Sequence, residues 1–147
     1  MRPIKTHTIQ AQSVVQSIEL EVCLIPPFVT DADPYLNSKW HAVWDTGATL
    51  SCVTQFIADQ LALTQIGTGM IYTATGTRRI KTYLVHILLP GDIKIRAEVA
   101  AIKDFGTETD VIIGMDIISQ FDFAVSNVQG KTTFSYRYPS SAEIDLT

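Results

Sequence analysis

Apolar and polar positions alternate with a period of two along much of this chain, and turn-forming residues cut the alternation into short pieces. Val14–Ile25 alternates in part (Val14, Gln16, Ile18, Leu20, Val22) and stops at Pro26-Pro27, which predicts a long strand. Residues 26–38, with three prolines, two aspartates and Asn37-Ser38, read as a surface loop. Lys39–Asp45 and Leu50–Val53 predict two short strands around a turn. Thr54 is placed to cap a short helix running to Leu63, with Ile57 and Leu61 on one face. The next break falls at Gly67 to Gly69.

Two hairpins follow in the pattern. Met70–Ala74 and Thr77–Leu89 meet around Thr75-Gly76, and Leu84–Leu89 meets Ile93–Ile102 across Pro90-Gly91-Asp92. A polar loop, Lys103–Asp110, leads into the strand Val111–Ile113. Asp116–Phe121 suits a second short helix, and Phe123–Val128 with Thr132–Tyr138 predicts a last hairpin across Gln129-Gly130. Pro139–Thr147 is a polar tail, mobile unless a partner orders it. Many short strands without a βαβ rhythm predict a mostly all-β chain folded as a closed, mostly antiparallel β barrel with one or two short helices.

Composition narrows the picture. With 147 residues the chain is expected to form one domain, residues 1–147, with a sizeable core. Apolar residues make up 46% and charged ones only 18%, a balance that suits a β-rich domain or one burying further surface in a partner. Leu84–Pro90 is the nearest thing to an apolar run, and His86 interrupts it, so no membrane partner is expected. The opening residues, Met1 to His7, carry charge but no apolar stretch behind it; the expected location is cytoplasmic. A net charge of −4 argues against a nucleic-acid partner. Cys23 and Cys52 read as buried, reduced thiols, and His7, His41 and His86 lack ligand spacing, so neither a metal nor another cofactor is expected.

The chemistry concentrates at Val43-Trp44-Asp45-Thr46-Gly47-Ala48-Thr49. Two large apolar residues run into Asp-Thr-Gly and leave one carboxylate, Asp45, at the end of a buried strand. A carboxylate there is costly unless it has partners or a task. Alone, the triplet is an ordinary β-turn with an Asx-type hydrogen bond. Its weight comes from a second element, Val111-Ile112-Ile113-Gly114, where another apolar strand ends at a glycine and enters a helical segment.

The pair resembles the retropepsin-like aspartic peptidases, whose hallmark is an apolar strand ending in Asp-(Thr/Ser)-Gly-(Ala/Ser) and a distal apolar-apolar-Gly. The resemblance spans about residues 14 to 136. It lies closer to cellular and bacterial single-motif members than to viral ones. Thr49 and Met115 stand where viral members usually carry an acidic residue and its Arg partner, and Trp44 replaces a smaller aliphatic residue. The resemblance implies a retropepsin-type barrel and an aspartic endopeptidase acting on a peptide or protein substrate without a cofactor. Asp45 is then the catalytic carboxylate. Thr46, Gly47, Ala48, Ile113 and Gly114 support it, and Tyr72-Thr73-Ala74-Thr75-Gly76-Thr77 is the flap over the substrate.

Such chemistry uses two carboxylates sharing one proton. The chain holds one Asp-Thr-Gly, and none of its other aspartates follows an apolar strand and precedes Thr/Ser-Gly. The implied assembly is a homodimer with both Asp45 residues on the two-fold axis. Family dimers often interleave their terminal strands, which points to Ile4–Gln10 and Thr132–Tyr138. The competing reading is a non-catalytic dimeric β-barrel module that binds extended peptides under the flap. Ala48 cannot donate a side-chain hydrogen bond to a carboxylate as Ser would. Ala48→Ser is therefore expected to move the activity optimum to lower pH, as measured by pH–rate profiles of the two proteins.

Overall fold

In the computed structural model, which describes residues 2–147, ten strands form two sheets. They are β1 (Lys5–Gln10), β2 (Glu19–Ile25), β3 (Trp40–Trp44), β4 (Cys52–Thr54), β5 (Gln65–Thr73), β6 (Gly76–Leu89), β7 (Ile93–Ile102), β8 (Val111–Ile113), β9 (Asp122–Ser126) and β10 (Thr133–Tyr138). Three short helices, α1 (Asp33–Leu36), α2 (Gln55–Gln60) and α3 (Met115–Ile118), punctuate them.

The larger sheet has the order β2-β3-β8-β4-β7-β6-β5. It turns back on itself through β2, whose residues 19–22 pair with β3 while Cys23–Ile25 pair with β6. Six strands thus form a ring, and β5 extends beyond it. Most pairings are antiparallel; β3–β8 and β4–β7 are parallel. The three-stranded sheet β1-β10-β9 lies alongside and joins both chain ends within one chain. The expected mostly-β, retropepsin-type architecture is present, with the larger sheet ring-like.

The alternation in the sequence explains the core. In β7, Ile93, Ile95, Ala97 and Val99 are buried while Lys94, Arg96 and Glu98 are exposed. Opposite them, Val85, Ile87 and Leu89 of β6 point inward. Each fully buried aliphatic side chain contributes roughly 1.5–3 kcal/mol relative to exposure. An aromatic layer of the same core closes the seam between the two sheets. Trp44 stacks on Tyr136 at 5.7 Å and meets Phe121, Phe123 and Phe134 edge-on at 5.1–5.5 Å. The bulk of Trp44 is thus spent fastening the end of β3 to β10.

Several expectations are corrected. Strand β2 begins at Glu19, not Val14: Val14 is 54% exposed and Val15 36%, so the alternation there has no buried face until Ile18 meets the core. Gly67 to Gly69 does not break the chain. Strand β5 runs through it with one irregularity between Gln65 and Gly67, opposite Thr82 and Ile80. The loop 26–38 contains α1, because Pro34 falls in a first turn, where its missing N–H is no loss. Helices thus number three rather than one or two, and α3 starts at Met115 rather than Asp116. No helix among the described residues is long and apolar enough to cross a membrane.

The polar tail is fastened at its root. The Asp122 carboxylate accepts hydrogen bonds from the Ser140 hydroxyl, the Ser141 and Ala142 N–H groups and Arg137 Nε, the last at 2.6 Å. Those donors, led by Ser140, hold its carboxyl well below the usual carboxylate range. A depressed folded-state value stabilises the fold fully above the unfolded value of about 3.9, and that contribution is lost as pH falls through the folded value. Asp122→Ala is expected to speed amide exchange at residues 140–142 at neutral pH. In acid, the mutant's exchange should converge on that of the wild type only as pH falls through the depressed folded-state value.

Candidate active site

Strand β8 lies between β3 and β4, parallel to the first and antiparallel to the second. Residues 45–51 must therefore leave the sheet and return on the other side of one strand. They do so as a loop folded over the end of β8. The β3–β8 ladder continues one step past the strand, with Asp45 N–H donating to Ile113 O at 2.9 Å. Asp45 then turns out of the sheet, half-buried, while Thr46 and Gly47 are exposed at the tip. Gly47 N–H donates to Asp45 Oδ1 at 2.9 Å, the expected Asx-type bond. Ala48 N–H closes the turn onto Asp45 O at 3.2 Å.

The loop is fixed to the distal glycine from several sides. Met115 N–H donates to Ala48 O at 2.8 Å, and Asp116 N–H to Thr49 O at 3.3 Å. Gly114 N–H donates to the Ser51 hydroxyl at 2.9 Å. Gly114 itself is extended, so its backbone angles would suit any residue. What demands glycine is space: a Cβ there would lie 2.9 Å from Ala48 O and 3.0 Å from the Leu50 carbonyl carbon. Asp45 and Gly114, far apart in sequence, are thus two halves of one backbone structure.

Two residues that the sequence did not single out complete it. Ser51, fully buried, donates its hydroxyl to Asp116 Oδ1 at 2.7 Å, and its N–H reaches both Asp116 oxygens at 3.0 and 3.1 Å. The result is a relay from Gly114 N–H through Ser51 to a carboxylate at the start of α3. Charge-assisted hydrogen bonds of this kind are stronger than neutral ones. The sequence signal was present but faint: a hydroxyl inside the apolar run Leu50–Val53, and an acid two residues past Gly114. Burial and the nearby Asp116 push the Cys52 thiol up to about 11, so it stays protonated.

The expected flap residues form the tip of the β5–β6 hairpin. Tyr72 pairs with Thr77 and Thr73 with Gly76, leaving Ala74-Thr75 as the turn; Gly76 has φ +132°. The Thr73 hydroxyl donates to Gly76 O at 2.8 Å and makes a 3.2 Å bond with the Thr75 hydroxyl. Residues 72–77 are all exposed, and none of these bonds reaches the Asp45 loop. A cleft of about 460 Å³ runs between the loop side (Leu50, Asp116, Ile117) and the base of the hairpin (Thr68, Gly69). The structure thus joins Asp45, Gly47, Ala48, Ile113 and Gly114, and leaves Thr46 and residues 72–77 at its edge.

A model of the gag-polyprotein putative aspartyl protease family matches residues 37–120, which hold both halves of this structure. The chain belongs to that family. No curated protein matches it by sequence. Among solved structures, a retropepsin-like aspartic protease from Rickettsia conorii aligns over 94% of this chain and 98% of its own, with TM-score 0.56 and 13% identity. EIAV protease, complexed with the inhibitor HBY-793, aligns over 71% of this chain and 86% of its own, with TM-score 0.51 and 17% identity. At such identities these likenesses establish a retropepsin-like fold, matched more completely by the bacterial protein than by the viral one.

Two substitutions test the loop anchor. Gly114→Ala forces a Cβ against two backbone groups, so activity is expected to fall by an order of magnitude or more. Ser51→Ala removes the middle of the relay and is expected to destabilise the fold by about 1–3 kcal/mol, with Ser51→Thr restoring most of it. Denaturant titration and activity assays on the purified variants read both effects.

Proposed function

We propose that this chain is an aspartic endopeptidase that works as a homodimer, with Asp45 of each copy supplying one of two carboxylates around a water molecule. The observation that carries the reading is the state of Asp45. The scaffold holds it at the end of a buried strand, and its carboxylate accepts one hydrogen bond, from its own loop. A group held that firmly and left free on its outer side suits a second carboxylate and a water better than a structural ion pair.

One carboxylate, ionised, takes a proton from the water as it attacks the scissile carbonyl carbon. The other, protonated, donates to the carbonyl oxygen, and the pair then returns a proton to the leaving amine. A two-fold axis beside Asp45 supplies the second group from the same sequence. In this reading Thr46, exposed at the tip, meets its counterpart across the axis. Residues 72–77 close over an extended peptide or protein substrate and shield the reaction from bulk water.

Asp45→Asn keeps the loop's size and the acceptor for Gly47 N–H while removing the charge. Cleavage of a denatured protein between pH 4 and 7 is expected to fall by a factor of about 10² to 10⁴ or more. Wild-type activity is expected to drop faster than linearly on dilution. A monomer in sedimentation that keeps full activity overturns the shared dyad.

A further inference from the structure

We propose that the cleft at the start of β7 is a docking site for an acidic, extended segment of the peptide substrate. The proposal rests on the peptidase reading above and adds a specificity to it. The cleft encloses about 500 Å³ and is lined by Arg2, Lys5, Lys94 and Arg96, with Gln120 and Tyr138 beside them. No acidic residue lines it. A chain of net charge −4 has thus gathered four of its eleven Lys and Arg residues around one cavity.

These cations are largely uncommitted. Lys5 pairs with Asp92 at 3.0 Å, at the rim. Among the described residues Arg2, Lys94 and Arg96 enter no ion pair. Arg2 is oriented by donating to the Tyr138 hydroxyl at 3.2 Å, and the Arg96 guanidinium lies 5.9 Å over the Phe28 ring. The positive field is felt nearby: His86, opposite Arg96 in the β6–β7 ladder, is held below its ordinary value by burial and then by Lys94 and Arg96.

Geometry decides what form of anion fits. Lys94 and Arg96 are alternate residues of one strand, so they project from the same face about 7 Å apart. Side chains on one face of an extended peptide repeat at that same spacing. A segment carrying Asp or Glu at alternate positions therefore meets both cations without bending. A nucleic acid needs a longer basic track than this cleft offers, and the chain's net charge repels it. The cleft also adjoins the one beside the Asp45 loop, with Arg96 and Gln120 lining both. That neighbour contains Glu98 and Asp116, which disfavour acidic residues there. The preference is thus for acid far from the scissile bond and not near it.

The test uses the Asp45→Asn protein, so that no cleavage occurs, and two fluorescein-labelled peptides with Glu or Gln at alternate positions. Fluorescence polarisation at low salt is expected to show the Glu peptide binding about tenfold or more tightly than the Gln peptide. That advantage is expected to vanish in the Lys94→Glu/Arg96→Glu double variant, whose exposed positions leave the core untouched. Equal binding of both peptides, an unchanged double variant, displacement by millimolar inorganic phosphate, or tighter binding of an oligouridylate each overturns the proposal. With Asp45 intact, the double variant is expected to raise KM for a Glu-bearing substrate about tenfold relative to its Gln-bearing counterpart. Binding without any wild-type cleavage sinks the peptidase reading alone, and cleavage without charge preference sinks this proposal alone.

Discussion

The closest constraint in the molecule is the contact of Gly114 with the carbonyls of Ala48 and Leu50, where not even a methyl group fits. It holds the Asp45 loop close against the end of β8. The bonds from Met115 and Asp116 to Ala48 O and Thr49 O fasten it there. A carboxylate on a loop so determined loses little orientational freedom on meeting a water or a second carboxylate. That is the physical meaning of preorganisation here.

The rest of the fold keeps this contact from relaxing. Strand β3 enters the loop from the aromatic seam, where Trp44 is gripped by residues of β9 and β10 and by Phe121, just past α3. Strand β4 leaves it into the apolar ring through Val53, fully buried. Both ends of the loop are thus rooted in one continuous core, in which β8 between them is buried at Val111 and Ile113. Moving the loop would require displacing side chains of that core, and packed interiors resist such displacement.

Much of this was legible in the residues. The paired signals at Asp45 and Gly114 stood out because each joins an apolar run to a residue that such runs rarely end on. The long hairpins were clear because Ile93–Val99 alternates without fault and Pro90-Gly91-Asp92 allows little but a turn. Less visible were features where one residue type serves two purposes. Pro34 marked a loop by its chemistry and opened a helix by its position. Gly67 and Gly69 resembled a break, yet they sit within a paired strand opposite Thr82 and Ile80. Ser51 and Asp116 were only faintly marked because their link is tertiary: little that is local distinguishes a serine that bridges a glycine and a carboxylate from one that faces solvent.

That relay is built without Thr49 and Met115, the positions where the resemblance to viral members implies an acid and an arginine. An ion pair beside the loop couples two long side chains through charge, at the entropic expense of ordering both. Here the Asp116 carboxylate instead accepts from the Ser51 hydroxyl, the Ser51 N–H and the Ile117 N–H. Two of these donors are backbone groups already ordered by the fold, and the third is a short side chain, so little further freedom is lost. The carboxylate needs no cationic partner because its charge is met by three aligned donors. The Asp45 loop is thus held to the distal glycine by hydrogen bonds. Thr49 and Met115 are left exposed, outside that network of side-chain bonds.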